Sequence, residues 1–258
     1  MSSPDELSHA AQFLTARTVE DFRSTIAEVK RRIAVAAERA GRDPAEIELL
    51  PVSKTVPQER IRLAVEAGLT RFGENKVQEA HRKSEEMADL DLDWAVIGHL
   101  QSNKAKDVAK FAAEFQALDR IKVAAALDRR LQAEGRSLDV YVQVNTSAEE
   151  SKFGMPPEDL PGFLSQLPQF ETLNVQGLMT LAVFSTDAER VRTCFQLLRS
   201  LRDRTREADP DLIGPGKLSM GMSGDYAVAI EEGSTCVRVG QAIFGERALP
   251  DSHYWPES

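Results

Sequence analysis

A chain of 258 residues is long enough to bury a substantial core, and it can form either one α/β barrel or two smaller domains. Its net charge of -9 at pH 7 argues against a broad nucleic-acid-binding surface, and no apolar run reaches the length of a membrane span. Only two cysteines occur, Cys194 and Cys236, and the amino terminus lacks a signal-peptide pattern, so we expect a reduced, cytoplasmic protein.

The first predicted element is an amphipathic helix that follows a weakly patterned amino terminus. Residues 1–18 are polar, and we expect them to be loosely ordered. Apolar residues then recur at steps of three and four and define one buried face: Val19, Phe22, Ile26, Val29 and Ile33. Gly41 and Asp43-Pro44 end this helix. Because it precedes the first predicted strand, it is an extra element outside the repeating part of the chain.

From residue 47 onwards, short apolar segments typical of buried strands alternate with longer segments typical of helices. The predicted strands are 47–52, 69–72, 94–97, 115–118, 140–144, 175–179, 217–220 and 236–239. The predicted helices are 58–67, 75–87, 103–111, 121–133, 158–167, 187–207 and 225–231, and a capping-box sequence from Thr186 to Glu189 begins the longest of them. Eight strands separated by helices predict a single (β/α)8 TIM barrel over 19–247, with a tail at 248–258. An open doubly wound sheet is the alternative.

Lys54 follows the first predicted strand and precedes Pro57, which begins the next helix. It therefore lies at the carboxyl end of a strand, which is the edge where ligands bind in parallel α/β folds. A partly buried lysine can attack an aldehyde and form a Schiff base. From this pattern alone, an exposed lysine without a role is the commoner interpretation.

Two further strand ends carry polar residues. Asn75 follows the second strand and can face the same edge as Lys54, although helix capping explains it equally well. His99 follows the third strand without a suitably spaced partner, so no metal site is predicted. Ser102 is expected to cap the next helix.

The loops after the last two strands have the composition of a phosphate site. Ser223 and Gly224 begin a helix after the seventh strand, where free N–H groups attract an anion, and Gly240 follows the eighth strand. Arg238 ends the eighth strand and can face a ring nitrogen or an anion. Phosphate sites recur at these loops in barrels, although the glycines can also serve only to shape turns. A Schiff-base lysine combined with a phosphate site predicts pyridoxal 5′-phosphate (PLP) as the ligand.

Several motifs in one order resemble those of the pyridoxal phosphate homeostasis protein family. They span about residues 20–247 and are VSKT (52–55), FGEN (72–75), IGHLQSNK (97–104), GLM (177–179), LSMGMS (218–223) and VRVG (237–240). The resemblance implies a single barrel similar to the amino-terminal domain of alanine racemase. It also implies the roles of six residues: Lys54 as the aldimine lysine, Asn75 near the cofactor, Arg238 at the pyridine nitrogen, and Ser223, Gly224 and Gly240 at the phosphate.

Two positions bear on the transfer of the cofactor. Lys152 matches another lysine that recurs in the family, and the resemblance implies a part for it in transfer. Val56 stands where many bacterial members carry a second lysine, two positions after the aldimine lysine. A relay of the cofactor between two neighbouring lysines is therefore not expected in this chain.

Our hypothesis is an intracellular carrier or buffer of PLP with no catalytic residues and no turnover of its own, and no metal is expected. An arginine against the pyridine nitrogen keeps that nitrogen unprotonated, which weakens the ring as an electron sink. Racemases of similar fold take a second base from a separate carboxyl-terminal domain, which we do not expect here. The expected partners are PLP and PLP-dependent apoenzymes, and the expected state is a monomer. A minimal PLP-dependent amino-acid racemase and a Schiff-base aldolase acting on a sugar phosphate are the alternatives.

Overall fold

Eight parallel strands form one sheet in a computed structural model that describes residues 13–149 and 151–246. The strands are β1 (Glu48–Pro51), β2 (Arg71–Glu74), β3 (Asp93–Val96), β4 (Glu114–Leu118), β5 (Leu138–Gln143), β6 (Leu173–Met179), β7 (Lys217–Ser219) and β8 (Cys236–Val239). Their order in the sheet is β1-β8-β7-β6-β5-β4-β3-β2. A parallel bridge between Val52 and Gly73 joins the ends of β1 and β2, and the Ser53 N–H donates to the Gly73 carbonyl at 3.0 Å. The ring is therefore nearly closed, and the predicted TIM barrel is confirmed.

Helices surround this barrel, as expected for a chain that alternates strands with amphipathic segments. They are α1 (Val19–Arg39), α2 (Gln58–Glu66), α3 (Val77–Glu86), α4 (Ala105–Phe111), α5 (Ile121–Glu134), α6 (Leu160–Leu164), α7 (Ala188–Ala208), α8 (Tyr226–Glu231) and α9 (Gln241–Phe244). None of these described helices is both long and apolar enough to cross a membrane.

The predicted extra helix is α1, which packs on the outside of the barrel against α8 and α9. Its start is fixed by a capping box, in which Thr18 Oγ1 accepts from the Asp21 N–H at 3.1 Å and Asp21 Oδ2 accepts from the Thr18 N–H at 2.9 Å. The predicted apolar face is buried except for Val19, which is half-buried, and Phe22 meets Phe244 edge to face, with ring centroids 5.6 Å apart. The helix thus covers the side of the barrel formed by β1 and β8.

The predicted terminal segments are described only in part. Residues 1–12 and the predicted tail 248–258 lie outside the described residues. Of the segment predicted to be loosely ordered, residues 13–18 are described, and Ala16 among them is buried. The Ala16 carbonyl accepts from Arg60 Nε at 3.0 Å and from Arg60 Nη2 at 2.7 Å. The packed part of the chain therefore begins before α1.

Four local features differ from the predictions. Ser102 was expected to cap a helix, but it begins a 3₁₀ turn (Ser102–Lys104), and the N-cap of α4 is Lys104 without a side-chain cap bond. The cap of α7 is Asp187, whose Oδ1 accepts from the Glu189 N–H at 3.0 Å, so the predicted capping box at Thr186 is wrong. An aspartate at this position satisfies the first free N–H group itself, which moves the cap by one residue. The single helix predicted over 158–167 is reduced to α6, flanked by 3₁₀ turns at Pro157–Asp159 and Leu167–Gln169, because prolines interrupt regular helical hydrogen bonding. The four-residue helix α9 was not predicted.

The apolar core lies between the sheet and the helices. One cluster contains the outward-facing residues of β3 to β7, and Phe115, Leu127 and Phe195 are fully buried members of it. A second cluster lies among α1, α2, α8 and the strands β1, β2 and β8, and it includes Phe22 and Phe72. Because each fully buried aliphatic or aromatic side chain contributes about 1.5–3 kcal/mol, these clusters supply most of the stability that holds the barrel's rim in place.

We predict that Gly177→Ala destabilises the barrel. A Cβ atom at Gly177 of β6 would overlap the carbonyl oxygen of Lys217 on the neighbouring strand β7. The strands would have to separate locally, which we expect to lower the free energy of unfolding by about 2–3 kcal/mol. Gly162→Ala in α6 is the matched control, because a Cβ atom there meets nothing within 4 Å. Urea denaturation curves measure both effects, and equal midpoints for the two variants would contradict the prediction.

Candidate cofactor-binding site

Lys54 lies in a tight turn directly after β1 and is only 6% exposed. The Val56 N–H closes the turn by donating to the Ser53 carbonyl at 3.0 Å. Thr55, the next residue, has a φ of 64°, a left-handed conformation that is costly for a residue with a branched Cβ. Such a backbone persists only when surrounding contacts stabilise it, by roughly 1–3 kcal/mol in typical proteins. Contacts with residues outside the turn therefore stabilise the turn that carries Lys54.

A buried carboxylate lies beside this turn. Glu74 ends β2, is fully buried, and accepts through Oε1 from Ser53 Oγ at 2.6 Å and from Lys83 Nζ at 2.7 Å. Its other oxygen, Oε2, is buried and has no hydrogen-bond partner among the described residues. Burial raises the pKa of Glu74 to about 7, although the Lys83 ammonium opposes this shift. Near neutral pH both the ionised and the neutral form of this carboxyl are therefore populated.

Arg238 is a buried guanidinium at the end of β8 and is 3% exposed. Its Nη1 donates to Ser219 Oγ at 2.6 Å, and its Nη2 donates to the Thr180 carbonyl at 2.7 Å. Both acceptors are neutral, and burial lowers the pKa of Arg238. The guanidinium is therefore held in a fixed orientation, and among the described residues no carboxylate is bonded to it, which leaves its charge available to a ligand.

A chain of polar side chains runs through the barrel interior from Arg238 to the opposite end. We call it the polar column, and its members are Arg238, Ser219, Gln116, Glu114, Arg71, Glu48 and Lys217. Ser219 Oγ donates to Gln116 Oε1 at 2.7 Å, and Gln116 Nε2 donates to Glu114 Oε1 at 2.6 Å. Most TIM barrels fill this space with branched aliphatic side chains. In this barrel, the hydrogen bond to Gln116 fixes Ser219, which is the acceptor that orients Arg238.

The predicted phosphate residues lie together at the ends of β7 and β8. Ser223 Oγ accepts from the Ala242 N–H at 3.4 Å, which joins the loop after β7 to the start of α9. Gly240 is the N-cap residue of α9. Gly224 is exposed, and open space surrounds its Cα. Gly240 has an ordinary φ of -108°, so its backbone conformation does not require glycine. Gly221 does require it, since its φ is 96° and a Cβ atom would lie 2.6 Å from the Ala229 Cβ.

Asn75 lies directly after β2 on the same rim as Lys54 and is half-buried. Its backbone carbonyl touches Gly98, where a Cβ atom would overlap the Asn75 oxygen. Glycine at position 98 therefore allows the loops after β2 and β3 to approach each other. Asn75 is thereby placed at the rim by backbone packing.

Three other residues named from the sequence also belong to the rim or its support. Lys152 Nζ donates to the Ala182 carbonyl at 2.7 Å and pairs with Glu149, so it links the loops after β5 and β6. The His99 ring stacks on Phe153, with centroids 4.0 Å apart. Val56 is 8% exposed and belongs to the apolar cluster around α1 and α2. A lysine at position 56 would have to leave this apolar environment.

Glu74 and Glu79 belong to the polar motif that follows the second predicted strand, but no role was predicted for them or for Lys83, which the structure places against the Lys54 turn. The i,i+4 spacing of Glu79 and Lys83 was a further signal, but it also describes an ordinary surface ion pair on a helix. Within the described part of the chain, no group of three or more His, Cys, Asp or Glu side chains is arranged to hold a metal ion.

Comparison with known proteins identifies the family. The family model for the alanine racemase amino-terminal domain matches residues 25–248. A pyridoxal phosphate homeostasis protein from Pseudomonas aeruginosa is 44% identical over 222 residues, which cover 86% of this chain and 94% of that protein. Another from Aquifex aeolicus is 43% identical over 223 residues, covering 86% and 96%. The chain belongs to the pyridoxal phosphate homeostasis protein family. The resemblance drawn from the sequence motifs is confirmed.

A solved structure of similar fold contains the cofactor. PipY from Synechococcus elongatus PCC7942, in a structure with PLP bound, is 34% identical to this chain and superposes with a TM-score of 0.76. The alignment covers 87% of this chain and 100% of the PipY chain. The fold of this chain is therefore similar over 87% of its length to that of a protein whose structure contains PLP.

The residues at the rim of this chain fit such a cofactor chemically. Lys54 offers a buried amine, Arg238 offers a buried cation that no carboxylate bonds directly among the described residues, and the joined loops at Ser223 and Gly240 offer hydroxyl and backbone N–H groups. PLP presents an aldehyde, a ring nitrogen and a phosphate. Each of these three groups thus has a complementary group on the rim.

The raised pKa of Glu74 predicts a stability that depends on pH. The carboxyl titrates at about 7 when folded and at 4.5 ordinarily, so between these values the folded state keeps a proton that the unfolded state has lost. The free energy of unfolding therefore falls as pH rises through this window. We expect Glu74→Gln, which keeps the acceptor oxygen, to reduce this fall by on the order of 1–3 kcal/mol. Urea denaturation between roughly pH 5.5 and 7.5 measures it, and parallel pH profiles for the two proteins would contradict the assignment.

Proposed function

We propose that this protein binds PLP covalently through Lys54 and acts in PLP homeostasis as an intracellular carrier or buffer without turnover of its own. The observation that carries the proposal is the placement of a buried amine and a buried guanidinium at the ends of paired strands. β1 and β8 are neighbours, with Leu50 opposite Arg238, and Lys54 follows four residues later on the chain. The two groups therefore belong to one rim.

The covalent step uses only groups that the protein and PLP supply. The Lys54 amine loses a proton and adds to the aldehyde carbon, water leaves, and a C=N bond forms. The step consumes no oxidant or reductant and is reversed by water. A bond of this kind suits a protein that holds a reactive aldehyde and later releases it.

Arg238 supports a role without catalysis. An arginine has only donors and stays protonated, so it cannot give a proton to the pyridine nitrogen as an acid would. An unprotonated ring is a weak electron sink, and PLP-dependent carbanion chemistry depends on that sink. Hydrogen bonds to Ser219 Oγ and to the Thr180 carbonyl hold the guanidinium in place, which supports this role.

The remaining roles belong to the same proposal. Ser223, Gly224 and Gly240 bind the phosphate, and Asn75 lies near the ring. Lys152 takes part in handing PLP to PLP-dependent apoenzymes from its place between two rim loops. We further propose that the protein is a monomer and that it is cytoplasmic. Its two free, buried cysteines, Cys194 and Cys236, support a reducing compartment.

The covalent attachment is tested by absorption spectroscopy after PLP is added and the excess is removed. We expect the parent protein to show the band of a lysine-bound PLP and Lys54→Ala to lack it, because the proposal assigns the bond with the aldehyde to the Lys54 amine. Lys122→Ala removes an exposed lysine on α5 and is the control, with an unchanged band. Borohydride reduction followed by peptide mass spectrometry should locate the adduct on Lys54. A band that survives in Lys54→Ala would overturn the assignment.

The absence of turnover is tested by an isomer assay. Protein loaded with PLP is incubated with each isomer of alanine, and the isomer ratio is followed by chiral chromatography. We expect no interconversion above a PLP-only control, because the ring is a weak electron sink. Interconversion that disappears with Lys54→Ala would establish a racemase instead.

A further inference from the structure

Lys83 is a fully buried lysine whose hydrogen bonds lead to the Lys54 turn. It lies on α3 and is 1% exposed. Its Nζ donates to the Ser53 carbonyl at 2.8 Å, to Glu74 Oε1 at 2.7 Å and to Glu79 Oε1 at 2.8 Å. An ammonium has three donors, so all of them are used. One of the three is spent on the backbone of the residue just before Lys54.

The residue just after Lys54 is held by the same group of side chains. The Thr55 N–H donates to Glu79 Oε1 at 2.9 Å, and this is the oxygen that also accepts from Lys83. The backbone on both sides of Lys54 is therefore bonded to one Lys83–Glu79 pair on α3. This contact holds the turn in which Thr55 adopts its left-handed conformation, with a φ of 64°.

We propose that Lys83 and Glu79 are positioning residues that hold the Lys54 turn in the conformation from which its amine reacts. This inference rests on the proposed function, since it assigns the support of the same lysine. Pairing with Glu74 alone would satisfy the charge of a buried lysine. The bonds to the Ser53 carbonyl and, through Glu79, to the Thr55 N–H have a different effect, because they fix the peptide groups on either side of the reacting side chain.

The geometry predicts an effect on reaction rate that exceeds any effect on noncovalent binding. A misplacement of reacting groups by about 1 Å can slow a reaction by up to about a hundredfold. Under the proposed function, the phosphate contacts and the Arg238 contact come from the ends of β7 and β8, and none of them is made by the Lys54 turn. Pyridoxine 5′-phosphate has the ring and phosphate of PLP without the aldehyde, so it measures those contacts alone.

The test compares a variant that lacks Glu74 with one that lacks both Glu74 and Lys83, which leaves only the partly exposed Glu79 without its cation. Lys83→Met alone would leave two carboxylates without their cation, which is strongly destabilising. Glu74→Gln/Lys83→Met removes one positive and one negative charge, and Glu74→Gln alone is its reference, because Lys83 keeps its other two acceptors there. Arg42→Met is the matched control for a lost cation. Arg42 Nη1 donates to the carbonyls of Ile230 at 2.9 Å and Ser234 at 2.8 Å, away from the Lys54 turn.

The rate of adduct formation is followed by stopped-flow absorption after mixing full-length protein with PLP. Relative to Glu74→Gln, we expect Glu74→Gln/Lys83→Met to react at least about tenfold more slowly. Pyridoxine 5′-phosphate should bind both variants with dissociation constants within about twofold of each other. Arg42→Met should form the adduct at the parent rate. Equal rates of adduct formation in the two Glu74 variants would overturn the inference. So would a double variant in which the rate and the affinity for pyridoxine 5′-phosphate fall by the same factor relative to Glu74→Gln.

Glu79 provides a second test if the double variant does not fold. Glu79→Ala removes the acceptor of the Thr55 N–H, whereas Glu79→Gln keeps an acceptor oxygen there. We expect the alanine variant to form the adduct several-fold more slowly than the glutamine variant, and equal rates would again overturn the inference. Failure of the proposed function gives a different result, because the parent protein would then form no lysine adduct at all.

Discussion

The pairing of β1 with β8 is the constraint on which the candidate site depends. In a parallel barrel every strand delivers its carboxyl end to the same rim, so neighbouring strands bring residues that are far apart in sequence to adjoining positions. Leu50 lies opposite Arg238 across this pair, and the contact joins the first strand of the chain to the last. The bridge from Val52 to Gly73 then places β2 on the other side of β1. Closure of the ring therefore sets Lys54 between Arg238 on one side and Glu74 and Asn75 on the other.

Closure brings a cost, because the barrel interior is polar. The polar column buries charged and amide groups that lose their hydration, and such groups are tolerated only when each finds a partner. Hydrogen bonds along the column meet this condition, from Arg238 through Ser219 and Gln116 to Glu114. The apolar clusters outside the sheet offset the cost. The apolar clusters outside the sheet thus stabilise the protein, and the polar column inside it orients the Arg238 guanidinium.

The sequence was sufficient for the barrel and for the main residues of the rim. Apolar runs broken by polar residues mark strand ends locally, so Lys54, Asn75 and Arg238 could be placed at the rim without knowledge of their neighbours. The polar column could not be predicted in this way. Gln116 meets Ser219, a residue 103 positions away, and that contact depends on the curvature and register of the whole sheet. Lys83 was missed for a related reason, since a lysine on an amphipathic helix usually faces solvent.

Local rules failed where two signals competed for one position. The sequence from Thr186 to Glu189 matches a capping box, yet Asp187 is the better acceptor for the first free N–H group and takes the cap. At the true capping box, Thr18 and Asp21 bond reciprocally at the start of α1. The two motifs differ at the residue after the threonine. Asp187 can accept a backbone N–H, whereas Val19 cannot.

Under the proposed function, the site has to hold PLP firmly and still release it. A C=N bond meets both needs, because it is covalent and reversed by water, whereas a site that also activated the ring would consume what it stores. The rim separates these tasks between strands. β1 carries the amine, β8 carries a cation that does not protonate the ring, and α3 supports the lysine from outside the barrel. Because Val56 is packed in the apolar cluster beside α2, release cannot pass through a neighbouring lysine at that position. Release must instead involve water or an amine from the rim loops, and Lys152, which bridges the loops after β5 and β6, is the lysine among them that the family resemblance indicates.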